Sequence, residues 1–526
     1  MPGATSALPH RFGRNVIMNY AAQGTAALSA IIVTPLLLHH LGRSAFAVWV
    51  LASSAVLYLE LFELGFGGAA TKLVAEDAEK RPEQALKTLN TAFFALIPLA
   101  LLALGVGVGI AFVFPSLVHV TPALHHQVIL VVIILSIGLA ISIPGDTLGG
   151  ALVGHQRFDM LGLSNSLLVA CTLVATIVIV ALGGGLVALA TALTVTGVLF
   201  HFVRFWMLRR VQPGARISFR LVDRQRLGVV MHLSGWFLLY AVILGVYNAC
   251  DVLVVGIVLG LRDAAVYAVA SKLATAAVQG LDSLAQVFFP YASATARNED
   301  RGALTEIVAD GTRAAMLVGM IISVLYLILA SPGIRAWVGP GYGTSARVLM
   351  VFAAVIVLST PVRVINVTLT GSGRLALVCL IRGIEVAINL TLSIILAKVL
   401  GPVGVAVGTL GGIALARFPG FLFIGGRAVG IRPLTLLRRS VLPHLLPLAA
   451  DAAVLLALRG VADRSVPGLV LDAVLGSVTY VAVYFAFGAT SGERHRARNA
   501  IAKYVPPRWR HNLGGSFSDA DVPSQG

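Results

Sequence analysis

The chain has 526 residues, of which 58% are hydrophobic and only 12% are charged, and its mean hydropathy is +0.90. A soluble protein of this length would need far more polar residues to cover its surface, so the soluble globular class is excluded. The net charge of +16 would suggest nucleic-acid binding in a soluble chain, but most of the basic residues lie in short loops between apolar runs. Composition therefore predicts an all-α polytopic membrane protein that does not bind nucleic acid.

The predicted elements are apolar runs of about 20 residues, each long enough to cross a bilayer. The first, 15–39, is too long for a signal-peptide core and lacks a small-residue cleavage site, so it is counted as a span. The pattern predicts about 14 transmembrane helices at 15–39, 43–69, 88–114, 126–150, 160–182, 185–206, 230–258, 264–292, 313–331, 346–370, 376–398, 402–424, 440–459 and 466–488.

The positive-inside rule gives the expected orientation. With the N-terminus inside, the inner segments hold 29 of the 39 Lys and Arg residues, and three more lie within helices. The outer segments hold only Arg43, Arg262, Arg335, Arg347, Lys398, Arg459 and Arg464. An even number of spans then brings both termini to the cytoplasm. No loop is long enough to fold as a separate catalytic domain, so a non-enzymatic membrane protein is predicted.

A repeat at a shift of 218 residues indicates an internal duplication. Leu41-Gly42 falls on Leu259-Gly260, and Leu182-Gly183 falls on Leu400-Gly401. One residue off that shift, GHQR at 154–157 matches GSGR at 371–374. Each unit holds six spans, so the two copies are expected to be parallel repeats with a site between them. The expected organisation is a first lobe at 1–210, a basic cytoplasmic linker at 211–228, a second lobe at 229–426, two further helices at 427–490 and a polar cytoplasmic tail at 491–526.

The repeated stretches also resemble a known family. The first lobe begins with NYAAQGTAALSAIIVTPLLLHHLGRSAFAVWV and YLELFELGFGGAATK, the second with YNACDVLVVGIVLGLRDAAVYAVASKL and VFFPYASATARNED, and AWVGPGYGTSARVL and LTGSGR follow. Over roughly residues 12–425 this pattern is similar to bacterial polysaccharide (O-antigen type) flippases, of the superfamily that holds the MATE drug exporters and lipid II flippases. One departure is Glu63, where the family more often has Asp.

The resemblance implies a flippase of the bacterial inner membrane, used in surface polysaccharide biosynthesis. It would move a polyprenyl-pyrophosphate-linked oligosaccharide between leaflets by alternating access, in the company of membrane lipids and the polysaccharide polymerase machinery. Such a cargo needs cations for its phosphates, and Arg suits phosphate through paired hydrogen bonds. The substrate-binding candidates are Arg363, Arg417, Lys272 and Arg382. Pro361 predicts a kink beside Arg363. Snorkelling to the headgroups is the alternative for these cations, and Arg382 has Glu385 at i+3 as a possible partner.

Acidic residues at membrane depth form the second candidate set, because a carboxylate in a partly desolvated cavity suits proton or sodium coupling. The ion-coupling candidates are Glu60, Glu63, Asp251 and Asp146, with Asp282 a further acid of this kind. The alternative is that these acids pair with arginines. Asp451 and Asp472 lie outside the repeat and are expected to be structural.

Two other functions are compatible with a polytopic membrane protein. A cation-coupled small-molecule or drug antiporter of the same fold remains open, although cations within the helices favour an anionic cargo. A membrane glycosyltransferase or polymerase would need a larger outer loop than Ser331 to Ser345. No P-loop pattern suggests direct use of ATP, and the three cysteines have no metal-ligand spacing, so no cofactor or metal is predicted.

Overall fold

The computed structural model describes residues 8–57, 59, 71, 73–74, 77, 81–118, 120–286, 288, 301–458 and 466–495. These residues are helical, with no strand among them, which confirms the all-α class. Twelve of the described helices are long and apolar enough to cross a membrane. The predicted spans 15–39 and 43–69 meet in one helix that bends at Gly42, and 230–258 lies in a helix outside those twelve. The count of fourteen stays a prediction.

Each predicted span in the described part of the chain coincides with a helix. In chain order they are α1 Leu8–Leu57, α2 Pro82–Leu117, α3 Pro122–Gly154, α4 Phe158–Ala181, α5 Leu186–Val211, α6 Arg224–Val258, α7 Leu261–Gln286, α8 Arg301–Ile328, the short α9 Ala330–Val338, α10 Gly343–Gly371, α11 Leu375–Leu400, α12 Pro402–Val429, α13 Pro433–Leu458 and α14 Val466–Gly488.

Local sequence explains where several of these helices begin and turn. Proline is the first residue of α2, α3, α12 and α13, where its missing N–H costs nothing. The glycines at equivalent turns of the two repeats have the same unusual backbone: φ is +77° at Gly42 and +94° at Gly260, and +73° at Gly183 and +62° at Gly401. Because positive φ strains other residues, these turns fix the positions of glycine in the repeat.

The matched loops 154–157 and 371–374 share the same geometry. Gln156, the one described non-glycine residue with positive φ, has φ of +57°, and the matching Gly373 has +78°. The helices also pack in matching pairs: α2 on α3 as α8 on α10, α3 on α5 as α10 on α12, α1 on α4 as α6 on α11, and α4 on α5 as α11 on α12. Backbone and packing therefore both support the internal duplication.

The two repeats meet where α1 packs against α6 and α7. At the end of the molecule that holds the Gly42 bend, the Trp337 indole N–H donates to the Ile31 carbonyl at 2.7 Å. At the same end, the Arg43 guanidinium lies 4.7 Å from the centre of the Tyr342 ring. Contacts between the repeats thus close the end that charge counting assigns to the outside.

The pair α13–α14 packs on α8 and is held there by Arg313. This guanidinium donates to both carboxylate oxygens of Glu493 at 2.9 Å and to the Gly488 carbonyl at 2.8 Å. Burial alone would raise the pKa of Glu493, but hydrogen bonds from Arg313 and Thr490 outweigh it and lower that pKa to about 2. The pair of helices is therefore attached to the second repeat at its last turn.

Candidate functional site

A polar stripe runs along one face of α7. Lys272, Thr275, Gln279, Asp282 and Gln286 are all exposed, and their spacing of three and four residues places them on one side of the helix. The opposite side is buried and small or apolar, at Ala274, Ala277, Leu281 and Ala285. Charged groups inside a membrane face cavities or other helices rather than lipid, so we infer that the stripe faces a water-accessible space beside the contact with α1.

Arg363 reaches this stripe from α10. The helix contains a 3-10 turn at Thr360–Val362, which includes Pro361, at the position where the kink is predicted. The Arg363 side chain is 2% exposed, pairs with Asp282 and donates to the Ser359 hydroxyl at 3.2 Å. The Asp282 side chain is 53% exposed. The guanidinium of this ion pair is therefore buried in the protein, and its carboxylate lies at the surface of the space.

Two further predicted cations share one buried acid. Arg382 donates to Glu385 Oε2 at 2.6 Å, which confirms the i+3 pairing, and Arg417 lies 3.8 Å from Glu385 Oε1. The Arg382 guanidinium also stacks 4.4 Å from the Tyr247 ring centre. Arg417 ends a π-helical turn at Ile413–Arg417, a feature common at functional sites. All three charged side chains are buried, so this cluster carries one net positive charge inside the second repeat.

Lys272 stands apart from these pairs. It forms no ion pair with any described residue and is exposed on the polar stripe. Lys272 and Asp282 lie on the same face of α7, which brings the lysine to the same space as the pair between Asp282 and Arg363. The four predicted cations thus lie on α7, α10, α11 and α12 of the second repeat.

Asp251 is surrounded by neutral donors. Its carboxylate accepts hydrogen bonds from the Thr409 hydroxyl at 2.7 Å and the Tyr267 hydroxyl at 3.0 Å, and the Cys250 thiol lies at 3.4 Å. The Asn389 side chain lies behind Cys250, with its amide oxygen 3.8 Å from the Cys250 sulfur. Because Asp251 has no basic partner among the described residues, its charge is uncompensated in this conformation.

Asp146 has a different environment. It pairs with Arg204 at 2.6 Å, and Arg204 also donates to the Asn165 side chain at 3.0 Å. Arg204 lies near the end of the predicted span 185–206, and α5 continues beyond that span to Val211, so the residue is within the helix and 9% exposed. Glu60 and Glu63 lie outside the described residues, so their role stays a prediction.

Sequence reasoning missed the neutral partners of these charges. Tyr267, Thr409 and Asn389 surround Asp251 from three helices. These residues are uncharged, so a search for charged residues within apolar spans does not find them. Arg204 and His201 directly precede an arginine-rich run, so their position within the helix is not evident from the sequence. A scan for polar residues at helical spacing within apolar spans would have found the stripe on α7 and the polar side of α5.

A family model described as "Polysaccharide biosynthesis protein" matches residues 12–296, more than half of the chain. No curated protein matches. Among solved structures, an inward-facing multidrug resistance MATE family transporter of the MOP superfamily aligns with a TM-score of 0.66 and 16% identity, over 81% of this chain and all of that one. The lipid II flippase MurJ in an inward closed conformation aligns with a TM-score of 0.66 and 14% identity, over 89% and 99%.

A MOP superfamily transporter from Pyrococcus furiosus, whose binding pocket is described as having reversed polarity, aligns with a TM-score of 0.59 and 17% identity, over 80% and 95% of the two chains. At such low identity these likenesses concern the fold. The protein is a multi-pass membrane protein with the fold of the MATE and lipid II transporters, and it belongs to the polysaccharide biosynthesis protein family.

Proposed function

We propose that the protein is a flippase that moves a polyprenyl-pyrophosphate-linked oligosaccharide across the bacterial inner membrane by alternating access. The observation that carries the proposal is the charge balance of the second lobe, 229–426. Of the candidate residues in this lobe, four are cations, Lys272, Arg363, Arg382 and Arg417, and three are acids, Asp251, Asp282 and Glu385. This excess of cations at membrane depth is costly without an anionic ligand, and a pyrophosphate supplies one.

The geometry supports a specific route for the phosphates. The exposed Lys272 ammonium attracts the anion first, because it already faces the water-accessible space. A phosphate oxygen then replaces Asp282 as the partner of Arg363, since the carboxylate stands half-exposed in front of the buried guanidinium. Arg382 and Arg417 lie deeper and contribute a positive field rather than direct contact.

We further propose that Asp251 is the coupling site for H⁺ or Na⁺. An uncompensated carboxylate ringed by the hydroxyls of Tyr267 and Thr409 offers oxygen ligands to a cation or a site for a proton. Asp146 is a weaker candidate because Arg204 already neutralises it. Cation binding at Asp251 would change how α6, α7 and α12 hold together, and these helices include those that contact the first lobe.

A cation-coupled drug antiporter is the second candidate, and the uncompensated Asp251 is the observation that favours it. The two functions differ in the sign of the cargo, because a cationic drug would be repelled by Lys272 and the arginine cluster. We also propose fourteen transmembrane spans, cytoplasmic termini and lobes bounded at 1–210 and 229–426, as this fold of transporter would have.

A deletion strain tests the cargo. Without this protein, lipid-linked glycan should accumulate on the inner leaflet, where it stays inaccessible to an externally added glycan-cleaving enzyme, and surface polysaccharide should fall. Complementation with the intact gene should restore both, whereas Lys272→Gln should restore less. Lys398→Gln, which changes a lysine in the last turn of α11, is the matched control and should complement fully. Normal surface polysaccharide in a deletion strain with no other flippase would refute the proposal.

A further inference from the structure

The first repeat contains a polar pocket that the cation-rich second lobe does not explain. On α5, one side carries exposed apolar residues at Val195, Leu199, Phe202 and Trp206, which face the lipid. The other side carries Thr194, Gly197, His201 and Arg204. On α3, Ile137 and Ile141 are likewise exposed, while Ser142 and Asp146 lie on the opposite side. Both helices therefore turn their polar sides into the interior of the lobe.

These polar sides line an open cavity of about 450 Å³. It is completed by Ser53 and Val56 of α1 and by Leu168 of α4. Its volume lies within the range of about 300–1,000 Å³ typical of sites for small molecules, which combine apolar walls with a few placed polar groups. The cavity lies on the side of α3 and α5 opposite their exposed apolar residues.

The polar groups in the wall are held in place by one another. Arg204 donates to Asp146 at 2.6 Å and to Asn165 at 3.0 Å, and His201 Nε2 lies 3.1 Å from the Ser142 hydroxyl. Gly145 makes room for the imidazole, since a Cβ at this position would lie 2.6 Å from His201 Nδ1. Arg204 Nε is buried and has no hydrogen-bond partner among the described residues.

The charge of the pocket decides the class of ligand. Asp146 and Arg204 form an ion pair and are the charged residues among the described lining, so the pocket has no net charge to attract a phosphate or a cationic drug. What it offers is a mixture of donors and acceptors on adjacent side chains: a carboxylate, a guanidinium, an imidazole and a hydroxyl. Neighbouring hydroxyl groups on a pyranose ring each donate and accept, and they fit this alternation.

We propose that this pocket binds a sugar ring of the glycan cargo. The inference rests on the proposed function for the nature of the cargo and adds the place of the glycan within it. The pyrophosphate is held by Lys272 and Arg363 of the second lobe, and the glycan by Ser142, Asp146, His201 and Arg204 of the first. The cargo then spans both lobes, so each end of it follows a different lobe during transport.

The test uses purified full-length protein in lipid nanodiscs and two separate probes. Saturation-transfer NMR measures binding of free glucose, galactose, mannose and N-acetylglucosamine, and polyprenyl diphosphate without sugar probes the phosphate site. At least one sugar should receive saturation, and Ser142→Ala and His201→Phe should each weaken the signal at least fivefold. Phe202→Leu, on the lipid side of α5, should not change it. Ser142→Ala removes one hydroxyl and keeps the fold, so it protects the test against misfolding of His201→Phe.

The two probes separate the two proposals. Polyprenyl diphosphate binding should be lost in Lys272→Gln and unchanged in Ser142→Ala, and sugar binding should show the reverse pattern. If no sugar receives saturation, or if Ser142→Ala and His201→Phe leave it unchanged, the glycan site is wrong even when the diphosphate binds. If a sugar binds as described but the diphosphate does not, the glycan site stands and the lipid-linked cargo is refuted.

Discussion

The ion pair between Arg363 and Asp282 yields the sharpest test of the proposed mechanism. A structural role and a cargo-binding role for Arg363 predict the same defect for a single substitution at that position. A double substitution separates them. Replacing both residues by uncharged ones, Arg363→Met with Asp282→Asn, removes the pair without leaving a charge behind.

The expected stabilities follow from the exposure of each partner. Asp282→Asn removes the charge that compensates the guanidinium of Arg363, which is 2% exposed, and leaves it the neutral introduced amide oxygen and the Ser359 hydroxyl as acceptors. Removing one partner of a buried pair costs about 3–5 kcal/mol, and the lower end applies because Asp282 is half-exposed. Arg363→Met leaves a carboxylate that water can still reach, which should cost about 1 kcal/mol. The double variant should return to within about 1 kcal/mol of the parent, as buried pairs replaced by apolar residues often do.

Transport gives the decisive comparison. If Arg363 binds the cargo phosphate, the double variant should unfold like the parent in detergent and still fail to restore surface polysaccharide in the deletion strain. Thermal melting measures unfolding, and surface staining measures the polysaccharide. Both are measured for the parent, the two single variants and the double variant. Near-parental transport in the stable double variant would show that Arg363 only neutralises Asp282, and the phosphate route would have to be abandoned.

Three further outcomes are expected. Asp251→Asn should abolish the dependence of transport on a proton or sodium gradient, and Thr409→Val should weaken it about tenfold by removing one oxygen ligand; unchanged gradient dependence in Asp251→Asn, measured in proteoliposomes, would count against the coupling site. Glu493→Gln should destabilise the protein by about 1 kcal/mol at neutral pH, a figure reduced for solvent screening. The depressed pKa of Glu493 means that its stabilisation is present above pH 4.5 and lost as the pH falls towards 2, so melting temperatures of parent and variant should converge in acid; a constant difference would contradict the assignment. Gly412→Leu should destabilise the packing of α11 on α12, because even a Cβ would lie 2.9 Å from the Glu385 carbonyl oxygen, and a melting curve like that of the parent would argue against this close approach.

The sequence was sufficient for features that depend on local pattern. Apolar length predicted the helices, and the paired glycines at 42 and 260 predicted the duplicated turns, because only glycine adopts their positive φ without strain. The pairing of Arg382 with Glu385 followed from helical spacing alone. These properties are set within a few residues of the chain.

Partners far apart in sequence could not be predicted in this way. Asp282 meets Arg363 across 81 positions, and Asp251 meets Thr409 across 158. Both contacts depend on how α6, α7, α10 and α12 are arranged, which no spacing within one helix determines. Arg204 likewise pairs with Asp146 across 58 positions, a contact that the pattern of basic residues after the predicted span 185–206 does not indicate.

The duplicated scaffold explains why the two lobes can hold different parts of one cargo. Gly154 and Gly371 begin the matched loops of the two repeats. Asp146 lies eight residues before Gly154, and Arg363 lies eight residues before Gly371, so the two are equivalent positions. The same alignment matches Pro144 with Pro361. Equivalent positions therefore carry opposite charges, and each is neutralised from a different neighbouring helix: Asp146 by Arg204 on α5, and Arg363 by Asp282 on α7. In both pairs the carboxylate is the more exposed partner, 46% at Asp146 and 53% at Asp282. The lobes differ in their other charges. The second adds Lys272 on the same face of α7 as Asp282 and the buried cluster of Arg382, Arg417 and Glu385, which favour an anion, whereas the described lining of the first-lobe pocket holds one cation and one acid. The same backbone can thus bind hydroxyl groups on one side and phosphate on the other, which is the division of labour that a lipid-linked glycan requires.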